Sequence, residues 1–203
     1  MQVALTDAGE GTWLTTQGTD GEPDAALRTR CRARWATVGL QKTRDAYVFL
    51  ATTVPGLTTP PTRVYVDDTN PRGPGSVDVW IAGPAGPLAL EAEAVVRAYV
   101  VARRSVTADV QVRNATVLPI DVTADVYFRS QYTRALAQAT DELTQLIHAT
   151  ELGGFVSVAE MYRALCAPDG VFDARITVPA ANVPVARNQV AVPRTLTLIP
   201  HPS

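Results

Sequence analysis

The sequence predicts an α+β protein of two small domains, each a mixed, mainly antiparallel sheet packed with helices. Three observations predict it. Residues 63–83 read strand, tight polar loop, strand; helical apolar stripes begin near Leu88 and Gln131; and two alternating segments share the pentapeptide Val-Thr-Ala-Asp-Val, at residues 106–110 and 122–126. The loops and helices around the two pentapeptides do not align, so they are strands of similar composition and not a duplicated domain.

At 203 residues the chain is long enough for one ordinary domain or two small ones. With 46% hydrophobic and 19% charged residues it has the composition of a folded globular protein. A net charge of −2 gives no sequence-wide basic field, which argues against non-specific binding to nucleic acid or anionic lipid. Cys31 and Cys166 are too far apart in sequence for a metal-ligand spacing and make no disulfide framework; they read as buried free thiols. No apolar run approaches the ~20 residues that span a bilayer. The opening residues lack the basic region and apolar core of a secretion signal, so synthesis in the cytoplasm is expected.

In chain order, residues 1–19 form a segment of their own with one strand-like run, residues 12–16. A lone strand cannot bury both faces, so this run is expected to pair elsewhere or with another chain. The middle domain, residues 20–115, reads α-α-β-β-α-β. Asp20, Glu22 and Asp24 place acid at the start of its first helix and Pro23 suits a first turn. Leu27, Cys31, Trp35 and Val38 then form an apolar stripe. Arg28 and Arg32 lie on one side, Arg30 and Arg34 on another, as solvated or interfacial cations with Asp24 near Arg28. A short helix over 43–52 buries Ala46, Tyr47 and Leu50, and Val54-Pro55-Gly56 ends it. After the hairpin, Leu88, Ala92, Val95, Val96, Tyr99 and Val100 share one helix face, with Glu91, Arg97 and Arg104 opposite. Residues 105–113 alternate as a strand through Val106, Ala108, Val110 and Val112.

The C-terminal domain, residues 116–203, reads β-α-α-β-β. A strand runs over 118–128 and a long helix over 131–149, burying Leu136, Ala139, Leu143, Leu146 and Ile147. Ser157 and Glu160 form a capping-box pattern that opens a short helix. Two strands close the chain, at 171–178 and from Val190 or Val192 to Ile199.

Candidate chemistry is sparse. His201, between prolines near the C-terminus, reads as frayed. His148 lies near the end of the long helix, where the dipole favours an imidazolium and a cap or surface role suffices. Asp141 shares its face roughly two turns away, which supplies no third metal ligand. Asp67, Asp68 and Asn70 are the densest oxygen group, but they lack a calcium-loop period and have a turn-forming reason to be there. The run Gly73-Pro74-Gly75-Ser76 leads into a strand and has no lysine, unlike a phosphate loop. The reading therefore names no catalytic, cofactor or metal residue.

In collinear order, Gly18-Thr19-Asp20-Gly21-Glu22-Pro23-Asp24-Ala25-Ala26-Leu27-Arg28-Thr29-Arg30, Thr62-Arg63-Val64-Tyr65-Val66, Asn70-Pro71-Arg72-Gly73-Pro74-Gly75-Ser76-Val77-Asp78-Val79 and Arg103-Arg104-Ser105-Val106-Thr107-Ala108-Asp109-Val110 resemble the baseplate J-like proteins of contractile phage tails. Val117-Leu118-Pro119-Ile120-Asp121-Val122-Thr123-Ala124 is similar to that family's junction into its C-terminal domain. Each motif is weak alone; order and spacing carry the resemblance, which covers nearly all of the chain. Two departures stand out. The family's usual long N-terminal region is lacking, and Pro23 stands where a small polar residue is more common.

The resemblance implies a structural subunit of the baseplate wedge in a contractile tail or related injection particle. Such a subunit binds other wedge subunits and copies of itself in a six-fold ring, is assembled in the bacterial cytoplasm, and resides in the virion tail or particle baseplate. It implies no enzyme activity, cofactor, nucleic acid, membrane or small-molecule substrate. The alternative is a metal-dependent hydrolase of unrecognised type using Asp67, Asp68 or His148. A secreted adhesin fits less well, lacking both a signal segment and a disulfide framework.

Overall fold

The computed structural model describes residues 23–38, 43–132 and 134–203. The strand expected at residues 12–16, and with it the segment 1–19, lies outside them. The protein is α+β, and each of its three-stranded sheets combines one antiparallel with one parallel pair.

Helix α1 (Asp24–Val38) is exposed at every position from 24 to 32. Leu27 is 40% exposed and Cys31 is exposed, against the expected buried stripe. Over the described positions 24–32 the helix carries Asp24, Arg28, Arg30 and Arg32 and only one large apolar residue, Leu27, too little apolar surface to hold that part of the face down. Asp24 and Arg28 form no ion pair among the described residues. Trp35, Val38 and Arg34 lie outside the described side chains.

Helix α2 (Arg44–Thr52) is capped by Thr43, whose hydroxyl accepts from Ala46 N at 3.3 Å, and it buries Ala46, Tyr47, Leu50 and Ala51. Strands β1 (Arg63–Asp67) and β2 (Ser76–Ala82) form the antiparallel hairpin, with Tyr65 opposite Trp80. Helix α3 (Leu90–Val101) then carries the chain over to β3 (Asp109–Asn114), which pairs parallel with β2 from Ser76↔Asp109 to Ile81↔Asn114.

That register explains a correction. A strand was expected from Ser105, but β2 offers no partner before Ser76, so the chain turns until Asp109, whose N–H reaches Gly75 O at 2.9 Å. Val106 consequently stands in the turn, 99% exposed. The face of this sheet under α2 and α3 holds Tyr47, Leu50, Val66, Val79, Ile81, Val96, Val100 and Val112.

On α3 the buried face is rotated from the expected one. Val95 is exposed and Glu93 is buried. Glu93 is satisfied there, accepting from Asn114 Nδ2 at 2.9 Å and pairing with Arg97 one turn on. Arg97, expected on the far side, also donates to Val112 O at 3.2 Å.

Ala115, buried, is the single residue between β3 and β4 (Thr116–Phe128), the central strand of the second sheet. Helix α4 (Ala135–Ala149) buries Ala135, Ala139, Leu143 and Ile147; β5 (Phe155–Val156) leads into α5 (Val158–Leu165). Ser157 Oγ accepts from Glu160 N at 3.4 Å, which is one half of the capping box; the Glu160 carboxylate pairs with Arg163 instead. Strand β6 (Val171–Val178) pairs antiparallel with β4, β7 (Val183–Pro184) pairs with β5, and β8 (Gln189–Pro202) runs parallel to β4 on its other side.

The second core gathers Ile120, Val122, Ala124 and Val126 of β4 under Leu143, Ile147, Met161 and Leu165. A small third cluster, Ala82, Ala115, Leu152 and Val190 with Tyr65 and Trp80 against it, joins the other face of the hairpin sheet to the second half of the chain.

Strand β8 outruns its expected end, and His201 is not frayed. Ser203 N donates to Phe128 O at 3.0 Å, so beyond the bulge at Arg194 the odd-numbered residues of β8 bond to β4, while Pro200 and Pro202 turn their missing N–H to the edge that no described strand covers, where proline costs no ladder bond. His201 lies opposite Tyr127, stacked on it at 4.7 Å, with Nε2 2.9 Å from Asp125 Oδ1.

Candidate functional site

The hairpin loop over residues 68–75 is the candidate contact site, and its own side chains lock it. Asn70 takes the left-handed conformation (φ 60°), which Asn tolerates, and its Oδ1 accepts from Gly75 N at 2.9 Å. Ser76 Oγ accepts from Arg72 N at 2.9 Å and donates to Gly73 O at 2.7 Å. Gly75 (φ 80°) passes so close to the next turn that a Cβ there would meet Thr107 O at 3.3 Å.

Arg72 is the centre of the lock. Its Nε donates to Asp78 Oδ1 at 2.7 Å, and its two Nη groups reach the Asp109 carboxylate and, at 2.8 Å, the Asp109 carbonyl. Asp78 lies on β2 and is buried, and Asp109 opens β3, so one guanidinium ties the loop to β2 and to β3 beside it. Thr69, Asn70, Pro71 and Pro74 are left exposed at the tip. The arrangement is a loop held by its own side chains, with its tip exposed.

The acidic residues of this loop are engaged. Asp67 accepts from the Thr69 hydroxyl at 2.6 Å and the Thr69 N–H at 3.1 Å, contacts that hold its carboxyl below the usual carboxylate range, with Arg187 3.6 Å away. Asp68 pairs with Arg44 at the start of α2, and the Arg44 guanidinium lowers its pKa likewise. Asp67, Asp68 and Asn70 therefore turn the chain and tie it to α2 and to the segment before β8. Among the described residues no three His, Cys, Asp or Glu side chains come together to hold a metal ion. His148 belongs to a different neighbourhood, on α4 near Arg63, and His201 to the β4–β8 pair.

No motif in the sequence marks the surroundings of Arg63. This arginine is only 6% exposed; it donates to Gly83 O at 2.6 Å and lies 3.4 Å from Pro84 O and 3.5 Å from Ala191 O, while its Nε has no partner among the described residues. It links the end of the hairpin to β8 by carbonyl groups alone. Beside the same turn lies an open apolar groove of about 550 Å³, lined by Leu57, Pro84, Pro87, Leu88, Ala92 and Val95. Cys166 is half-buried, and that burial pushes its thiol above the ordinary value, away from nucleophilic use.

His148 gives a pH prediction. Burial, and secondarily the Arg63 charge, lowers its pKa, against the cationic helix-end role expected from the dipole. As pH falls through about 6.5 the unfolded chain takes up this proton before the folded one does, so stability falls with acidification in that window. In urea unfolding between about pH 7.5 and pH 5.5, His148→Gln is expected to flatten the slope; an unchanged slope contradicts it.

No protein-family model matches this chain, and no curated protein matches it.

Proposed function

We propose that this protein is a non-enzymatic structural subunit of the baseplate wedge of a contractile phage tail or related injection particle, binding copies of itself and other wedge subunits around a six-fold ring. The collinear resemblance of its strand and turn segments to baseplate J-like proteins carries this reading. The structure is compatible with it: three of the resembling segments, residues 62–66, 70–79 and 103–110, lie in the hairpin, its locked loop and the turn into β3, where Arg72 and Asp109 meet. Such a lock suits a surface that docks, because a rigid contact loses little entropy on binding.

The test is co-sedimentation of the purified protein with the sheath, tube and wedge products of its neighbouring genes. Entry into a complex larger than the chain itself is expected; a protein that stays apart from every tail component overturns the reading.

A further inference from the structure

The outer strand β6 carries an edge that is complementary to itself. β6 has β4 on one side and no described strand on the other. Ala174 lies opposite Val126, yet its N–H donates to the Asp173 carboxylate at 2.9 Å and not to β4, so the backbone groups of Ala174 point away from β4 to the outer edge, where the residue is 6% exposed and covered by that carboxylate. On either side stand residues of opposite charge. Asp173 is exposed and accepts otherwise from the Tyr162 hydroxyl at 3.2 Å, and Arg175 is exposed without a hydrogen bond or ion pair among the described residues.

We propose that β6 pairs antiparallel with β6 of a second copy, about a two-fold axis at Ala174. In that register the two Ala174 residues exchange N–H···O=C bonds across the axis. Asp173 of each copy then lies directly opposite Arg175 of the other, in the pair type where side chains approach most closely. The Asp173 carboxylate that now occupies the Ala174 N–H yields it to a partner carbonyl and receives an arginine in exchange.

Directly opposed residues share a face, so the two three-stranded sheets become one of six strands with both copies of α5 on the same side. Phe172, 56% exposed, stands next to the paired stretch and gains cover from it. Register shifts beyond Tyr127 and at Thr123 confine regular pairing about that axis to residues 173–175, which makes the contact short and its dimer a weak one. The contact is isologous and joins copies in pairs, so it is separate from any contact that closes a ring.

The inference stands on the edge alone and not on the baseplate reading, and its test contains no tail component. Sedimentation velocity of the purified protein from micromolar to millimolar concentration is expected to show a reversible monomer–dimer equilibrium. Asp173→Arg and Arg175→Asp, each placing like charges opposite one another twice, are expected to weaken the dimer about tenfold or more, and the double variant to recover it. Both positions are exposed, so the folded monomer persists in each variant. A monomer at every concentration overturns the proposal, as does a dimer that neither single variant weakens or a double variant no tighter than the singles.

Discussion

Leu143→Ala is expected to lower the unfolding free energy by about 3 kcal/mol, within the range of roughly 2–5 for Leu-to-Ala changes at enclosed sites. Leu143 is wholly buried and shares its cluster with the apolar face of β4 and with Met161 and Leu165 of α5. Two opposing effects set the size within the range. β4 is flanked by strands on both sides and cannot move to fill the space, which keeps the cavity open. Met161 is flexible enough to swing partly into it, which moderates the loss. Urea unfolding should show a lower midpoint at unchanged slope. Leu136, on the same helix but only partly buried, provides the comparison: Leu136→Ala should cost clearly less. A Leu143→Ala loss below about 1 kcal/mol would mean that α4 does not sit on this sheet as described.

Where local chemistry decides, the elements were legible. The apolar positions over 43–52 located α2 and its buried Ala46, Tyr47 and Leu50, and the Ser157 capping pattern located α5. The hairpin was readable because turn residues stand between two β-rich runs. What failed depended on partners distant in sequence. Whether residues 105–108 form strand depends on where β2 begins, and nothing near Val106 reports that. The parallel pairings β2–β3 and β4–β8 follow from where the helices carry the chain, which alternation does not encode. His201 looked frayed because it sits between prolines; an edge strand accepts those prolines, and Tyr127 and Asp125 hold the imidazole.

The candidate site was half legible for the same reason. Its Asp, Asn, Pro and Gly composition marked a turn, and the turn-forming reading of Asp67, Asp68 and Asn70 describes their contacts. Arg72 gave no signal, since one of its partners, Asp109, lies 37 residues away. Glu93 was passed over because a carboxylate on the buried side of a helix conflicts with periodicity unless its partners, here Arg97 and Asn114, are known. Arg63 likewise begins a strand by pattern and links two parts of the chain only through carbonyl groups that no sequence motif announces.

Arg72→Ala is the second large effect, expected to cost about 2–3 kcal/mol and to loosen the loop over 68–75. Most of the loss comes from what the side chain leaves behind. Asp78 is 7% exposed and has its ion pair with Arg72, so removing the guanidinium strands a nearly enclosed carboxylate, a change that costs roughly 3–5 kcal/mol at fully buried pairs. The Arg72 side chain is 22% exposed, so water can follow into the space and relieve part of that penalty, hence the lower figure. Arg72→Lys should recover only a fraction, because one ammonium cannot bridge Asp78 and Asp109 as the planar fork does. Combining Arg72→Ala with Asp78→Asn should cost less than the two changes summed, since the second removes the charge that the first strands. Urea unfolding measures the stabilities, and limited proteolysis within 68–75 measures the loop. If Arg72→Ala unfolds within about 0.5 kcal/mol of the parent and its loop resists cleavage as well, the arginine does not hold the loop, and a rigid docking surface loses its physical basis.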